Sequence, residues 1–505
     1  MHLSWYSKPV GFATSASTPP PALADERLMR PWESTGSFWI PSKPEQQCWG
    51  TMSFKPGSGI EVTLEGNLFG GRNPPRPLEI PVIHGRLFNG ALCSIFSCWC
   101  AVEIFNGQFF RTRVSARLSV GGGHWDNPEN CELEWVQVKF SHLNDWFSAP
   151  YKLEYEPGNY KVCKISFSPD DLMTELVFKD VVVELKTHCA HSIPNLASPD
   201  GKNWPYSYQL VLIPKEPQDL SWYIELIASI RELFVFLIGS GVYTLDLSAS
   251  QPSESAAKMA YLHYPVTVPR AIRVDADYFS TRFADYGGKI PEIIKTWFER
   301  ELELRVPAAT YRELLCSDGA SPATILLRTV QTLEHLYGLL WPTDSKYAKK
   351  ATFKRFIQWM REGFPSSLEH VPSEEMTKLE QHKETILSRI GGINDLSLRS
   401  KLEHLFNRIP QHSLMPILGN PPSSEEFLRK FIPRLEATRH YLTHYNPEQH
   451  ELAFKPAEIE DAALLCWAVL TFWMGHSLGL NQIDSGKMAL QAKMAMFLIN
   501  SDVKL

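Results

Sequence analysis

Over the first two hundred residues apolar and polar side chains alternate in short runs, and past Ser221 the apolar residues recur every three or four positions instead. One regular element cannot serve both periods. A strand sends successive side chains to opposite faces, whereas a helix returns to the same face after 3.6 residues. The chain is therefore built in two parts. Trp49–Phe54, Ile60–Glu65, Arg111–Val120, Glu175–Leu185 and Tyr206–Ile213 are the alternating runs, and Pro56-Gly-Ser-Gly59 and Gly121-Gly-Gly123 supply turn chemistry between them. The fold class expected is α+β, an antiparallel, sandwich-like β domain followed by an all-α helical bundle.

A chain of 505 residues exceeds one ordinary domain. The expected division is a flexible leader over residues 1–30, which holds Thr14–Ser17 and Pro19–Pro21; a β-rich domain over 31–215; a mixed connecting region over 216–305; and a helical domain over 306–505. Ser221–Leu237 is the first helical stretch, and Lys289–Phe298 opens the mostly helical half. Ser321-Pro322 has the cap and first-turn proline of a helix reaching Leu340. Further helices are expected near Lys349–Gly363, Ser373–Ile390, Ser397–Asn407, Ser424–Tyr445 (broken or kinked at Pro433) and Pro456–Leu478.

Composition narrows the function classes. A formal net charge of -6 argues against a broadly cationic DNA coater but leaves room for a local basic groove. Nine scattered cysteines, an odd number, read as reduced thiols of a cytoplasmic protein; the densest group, Cys93, Cys98 and Cys100, lies in a strand-like run without the paired spacing of a zinc site. Ala462–Ile483 carries no Asp, Glu, Lys or Arg, yet it contains Gly475, His476, Asn481 and Gln482 and lacks a flanking basic cluster. It reads as a helix buried in a bundle rather than a membrane span.

The stretch Ala437–Pro447 concentrates Arg439, His440, Tyr441, His444 and Tyr445 in front of a proline. An arginine holds phosphate oxygens with a planar fork, and a histidine moves protons near neutrality; together they can cut RNA through its 2′-hydroxyl without a metal. Arg328/His335, Arg399/His404 and Arg434/His440 have similar spacing, so position has to choose. Residues five apart on an ideal helix lie about 140° from one another. Arg439 and His444 therefore converge only if the helix unwinds before Pro447, which the Asn446-Pro447 ending makes plausible, or if a partner helix faces both. Two other readings stand beside this one. His444 suits an ordinary helix end, where a cationic ring meets the dipole. His440 and His444 also have the spacing of paired zinc ligands, although Tyr441 stands where a metalloprotease helix needs glutamate, and Glu448 or His450 would have to be the third ligand. The run from Lys346 to Arg355, with Lys349, Lys350 and Lys354 between aromatics, is either a nucleic-acid contact or a solvated helix face.

Thr438–Asn446 resembles the signature of HEPN ribonucleases, and Tyr441-Leu-Thr-His-Tyr445 looks like the ApeA-like branch, a bacterial anti-phage group. His440 stands where that branch more often has asparagine. Leu333-Glu-His-Leu-Tyr337 and Ser397–Leu405 are similar to other segments of the same domain. Gly36–Pro41, Trp49–Phe54, Ile60–Gly66 and Val138–Trp146 are similar to blocks of an ApeA N-terminal domain.

The resemblance implies a HEPN bundle that forms a homodimer or higher homo-oligomer with a composite cleft, and a β domain that senses or restrains. It implies metal-independent cleavage of host RNA, transfer RNA among the candidates, in abortive infection triggered by an unknown phage component, with no cofactor and no membrane. In that reading Arg439, His444 and His440 are catalytic, while Glu334, Tyr441 and Tyr445 support and orient. Lys346, Lys349, Lys350, Lys354 and Arg355 contact RNA. The other reading is a catalytically inactive HEPN fold that binds nucleotides or partners and regulates.

Overall fold

In the computed structural model the described residues are 27–70, 77–105, 109–155, 162–191, 206–252, 258–263, 276–316, 319–343, 346–363, 371–391, 394–445 and 447–500. The chain divides into two compact units, Met1–Glu301 and Leu302–Leu505.

The first unit opens with β1 (Trp32–Trp39), β2 (Cys48–Lys55), β3 (Gly59–Glu65), β4 (Leu78–Leu87), β5 (Leu92–Phe105), β6 (Phe109–Ala116) and β7 (Leu118–Gly121). There follow β8 (Glu132–Leu133), β9 (Trp135–Phe140), β10 (Tyr151–Tyr155), β11 (Val162–Phe167), β12 (Met173–Phe178), β13 (Val181–His191), β14 (Tyr206–Pro214), β15 (Gln218–Asp219), β16 (Thr244–Gln251) and β17 (Lys258–His263). Thirteen of them form one sheet in the order β12-β13-β14-β9-β16-β17-β7-β5-β4-β1-β2-β3-β6, and β6 also pairs with β5. That extra pairing closes β1 to β6 into an antiparallel ring. What the alternation suggests as sandwich-like is thus, in its first six strands, a closed barrel with an open sheet running out of it. Phe38, Met52, Phe54, Ile60, Val62, Leu64, Ile83 and Ile95 are buried at alternate positions, as the period of two requires.

The run Arg111–Val120, which reads as one strand, is split at Arg117 into β6 and β7. Both halves oppose β5 in one register, with Trp99 facing Ser115 and Phe96 facing Leu118. Ser97, at the split, has φ 54°, a left-handed conformation that marks an irregularity in the strand. β5 therefore belongs to the ring at one end and to the open sheet at the other.

Helices α1 (Leu143–Trp146), α2 (Leu220–Ile238), α3 (Phe283–Tyr286) and α4 (Ile290–Glu299) complete this unit. Asp219 caps α2 by accepting from Trp222 N at 2.9 Å, and Gly239 ends it at φ 74°, where an added Cβ would meet Ser280 Oγ at 2.0 Å. α2 buries most of its length; Phe234 meets Phe140 of β9, and Ser229 receives the Trp297 indole N–H of α4 at 3.1 Å. Of the expected leader, residues 1–26 lie outside the described residues. Arg27 beyond them is fastened to Asp246 of β16 by two bonds of 2.7 and 2.9 Å.

The second unit comprises α5 (Glu301–Cys316), α6 (Pro322–Leu340), α7 (Lys350–Gly363), α8 (Ser373–Gln381), α9 (Lys383–Gly391), α10 (Leu398–Asn407), α11 (Gln411–Leu418), α12 (Ser424–His444), α13 (Pro447–His450), α14 (Pro456–Ser477) and α15 (Gln482–Asn500). The stretch expected as one helix over Ser373–Ile390 is two, broken at His382. α14 is the centre of the bundle. Ala462–Gly475 is buried throughout, packed among α6, α11 and α15, which explains a run without charge. Among the described residues no helix is long and apolar enough to cross a membrane.

Candidate functional site

Helix α12 carries the arginine–histidine stretch, and its sequence makes a sound helix. Ser423 accepts from Glu426 N at 3.2 Å, Glu425 and Glu426 sit at the positive end of the dipole, and Leu428, Phe431, Ile432 and Leu435 form one buried stripe. The expected break at Pro433 does not occur, for the helix runs without interruption from Ser424 to His444 with Pro433 inside it. Nor does it unwind ahead of Pro447. Tyr445 closes it in the left-handed conformation at φ 51°, and Tyr445 N donates to Tyr441 O at 2.7 Å. The expectation that Asn446 leaves helical dihedrals falls outside the described residues. Helical geometry thus keeps Arg439 and His444 about 140° apart on their own helix.

Partners, rather than spacing, distinguish the arginines. Arg328 bonds Glu313 at 2.9 Å, Arg399 bonds Glu403 at 3.1 Å, and Arg434 grips Glu458 with two bonds of 3.1 and 2.6 Å. Arg434 and the Lys455 N–H together hold the Glu458 carboxyl below its usual range. Arg439 has no such clamp. Its guanidinium lies 4.0 Å from Glu334 of α6, too far for a hydrogen bond, and its buried Nε has no hydrogen-bond partner among the described residues.

Glu334 does face the arginine, as expected, but it bonds elsewhere: Lys401 Nζ of α10 donates to it at 3.0 Å. Lys401 is mostly buried beside it, with the side chain 12% exposed. One turn further along α6, the Tyr337 hydroxyl meets His404 Nδ1 at 2.6 Å. α6, α10 and α12 therefore share a polar seam whose α10 half is not read from the sequence: Lys401 is not singled out there, and His404 is named only in the competing pair with Arg399.

His440 and His444, four residues apart, stack at 6.1 Å with 28° between their rings, and His444 is exposed. Tyr441 stands edge-on to His450 at 5.0 Å and to Tyr445 at 6.4 Å, so the His450 ring contacts Tyr441 rather than joining the stacked histidines as the metal reading asks. Tyr445 is 75% exposed. Among the described residues no group of three or more His, Cys, Asp or Glu is placed to hold a metal ion. Cys93 and Cys100 are buried, and burial pushes their thiols up to about 12.

Thr438 anchors the return of the chain. Its hydroxyl donates to Arg434 O at 2.7 Å and accepts from Phe454 N at 2.8 Å, which folds the segment after α12 back along it. Lys346, Lys349, Lys354 and Arg355 are exposed and none makes an ion pair among the described residues; Lys350 opens α7. The structure therefore brings Arg439, Glu334 and Lys401 together at one place and sets His440 and His444 on an adjoining face of α12. It does not join the basic run to them.

Comparison with known families gives two matches. Residues 33–297 match the ApeA N-terminal domain 1 and residues 327–483 match the Apea-like HEPN domain. No curated protein and no solved structure matches the chain significantly. The two matches occur in order and the first alone covers more than half of the chain, so this protein belongs to the ApeA family, with an ApeA N-terminal domain followed by an Apea-like HEPN domain.

Proposed function

We propose that this protein is a metal-independent endoribonuclease of an anti-phage, abortive-infection system, cutting host RNA such as transfer RNA in the cytoplasm. A base takes the proton of a 2′-hydroxyl and the freed oxygen attacks the adjacent phosphorus. The bond to the 5′-oxygen breaks, and an acid protonates that leaving oxygen. The products are a 2′,3′-cyclic phosphate and a 5′-hydroxyl end. His444 is the proposed acid or base, with His440 beside it, and Arg439 stabilises the charge that gathers on the phosphoryl oxygens. Tyr441 and Tyr445 support the site.

The observation that carries this reading is the state of Arg439. Of the candidate arginines it alone is left without a hydrogen-bonded acid, and it lies in the last turns of the helix that carries the stacked His440 and His444. A buried guanidinium nitrogen without an acceptor is disfavoured unless a ligand supplies one, and a phosphate does. Because the helix stays regular through His444, Arg439 and His444 of one copy cannot share a phosphate by unwinding. The reading therefore includes a homodimer in which the partner's α12 faces the same cleft, so that arginine and histidine meet across it. The match to an Apea-like HEPN domain supports a nuclease of this type. The same regular helix favours the second reading, a catalytically silent HEPN fold that binds nucleotides or a partner.

Purified protein incubated with RNA in excess EDTA separates the two. Fragments ending in cyclic phosphate, with DNA left intact, are the expected result. Cleavage abolished by chelation overturns metal independence. RNA bound but never cut, by protein shown to be dimeric, selects the silent reading.

A further inference from the structure

Helix α7 lacks a buried face. Ile357, Met360 and Phe353 are half-covered, while Phe356 and Trp359 are 43% and 69% exposed. Phe353, Phe356 and Trp359 stand three residues apart and form a ladder of rings. The first pair is 5.8 Å apart and tilted by 40°; the second is 6.0 Å apart and stacked within 29°. On an ideal helix Arg355 lies about 40° beyond Trp359, and Lys354 lies across from it. No acid stands in the first turn of α7, and Lys346, Lys349, Lys354 and Arg355 are without ion pairs among the described residues. On the same helix Arg361 is paired with Glu384, and many other cations of this unit, Arg328, Lys378, Arg399, Lys401, Lys430 and Arg434 among them, are paired with carboxylates as well. Cations left free beside open aromatic rings form an unusual surface in a chain of net charge -6.

We propose that the Phe353–Phe356–Trp359 ladder is a binding platform for unpaired RNA bases, with Lys346, Lys349 and Arg355 holding the phosphates along it. Charge selects the occupant. A protein partner for an apolar helix face would leave three cations unmatched, whereas a polyanion with flat faces satisfies rings and cations together. Stacking on side chains requires splayed bases, so the platform discriminates loops and single strands from duplex. The choice of nucleic acid rests on the ribonuclease reading above. The platform itself holds substrate and does no chemistry.

The test is binding, measured by fluorescence anisotropy with the full chain and a 20-nucleotide 2′-O-methyl single strand, which cannot be cut by 2′-oxygen attack. Failure of this inference is thereby separable from failure of the nuclease reading. Phe356→Ala with Trp359→Ala is expected to weaken binding by about tenfold or more, from base stacks of roughly 1–3 kcal/mol each. Trp359→Phe retains most of the affinity and Trp359→Leu does not. Replacing Lys346, Lys349 and Arg355 with glutamine lowers the salt slope by about 2, at roughly 0.7 per phosphate. A duplex of the same sequence binds weakly and is insensitive to the ring variants. Unchanged single-strand binding in the double alanine variant overturns the platform. So does a variant that loses self-association while keeping its RNA affinity, which assigns the face to a second copy.

Discussion

Both units bury thiols, Cys466 of the second among them, but they differ in whether a reactive side chain is also left open to solvent. In the first, Cys93, Cys98 and Cys100 are sealed in β5 and Cys131 is buried just ahead of β8, and burial pushes the Cys93, Cys100 and Cys131 thiols up to about 12. His263, packed against Trp32 and Phe54, is driven down to about 3 by burial and by the neighbouring Arg27 cation. These groups are chemically silent near neutrality. In the second unit His444 lies open at a helix end, and Arg439 keeps a nitrogen in reserve. A histidine or cysteine is therefore no sign of a site by itself. The environment decides whether it can exchange protons or charge with anything outside the fold.

The comparison is sharpened most by Arg439→Ala and His444→Ala, each expected to reduce RNA cleavage by about 10³-fold while circular dichroism stays unchanged. A loss of helix content in both variants would make these residues structural. Next come the thiols: at pH 8 Cys100 should react with an alkylating reagent on the order of 10³-fold more slowly than an unperturbed cysteine, until denaturant exposes it. Labelling of Cys100 at the rate of a free thiol in native protein breaks the comparison on the β side.

A smaller effect concerns pH. The folded pKa of His263 is depressed, so its contribution to stability is whole above about 6.5 and is lost as pH falls toward 3. The unfolding free energy of the first unit should drop by up to about 1.4 kcal/mol per pH unit in that window. His263→Leu should flatten the slope; an unaltered slope would place the titration elsewhere. The smallest effect is at Tyr445, where a bulky side chain adopts a left-handed backbone. Tyr445→Gly should stabilise the second unit by about 1 kcal/mol and lower activity, and a destabilised variant would show that the ring itself holds the helix end.

Much of this was legible from local pattern. Ser321-Pro322 announced α6, Ser397 announced α10, and the alternating runs became β2, β3 and β14, because caps and periods are properties of a few neighbouring residues. Arg439, His440 and Glu334 could be named from their motif, and they lie on adjoining helices. What stayed hidden depends on distant parts of the chain. The closure of the ring needs β6 to find both β3 and β5. Thr244–Gln251 alternates in sequence, but its polar positions Thr244, Asp246, Ser248 and Ser250 are buried, and nothing local reveals that it pairs with both β9 and β17. The arrest of α12 at Tyr445 rather than earlier reflects backbone bonds that a following proline does not reach back to prevent. Lys401 meets Glu334 across 67 residues of sequence.

The position of β16 and β17 in the middle of the thirteen-stranded sheet has a practical consequence. A shortened chain stopping after β14 would omit both, leaving β9 and β7 each with a bare row of peptide N–H and C=O groups where a neighbour belongs. Such rows recruit strands from other molecules, and the fragment would precipitate rather than fold. Anyone isolating the first unit should cut beyond Glu301, where the chain passes from one compact unit to the next.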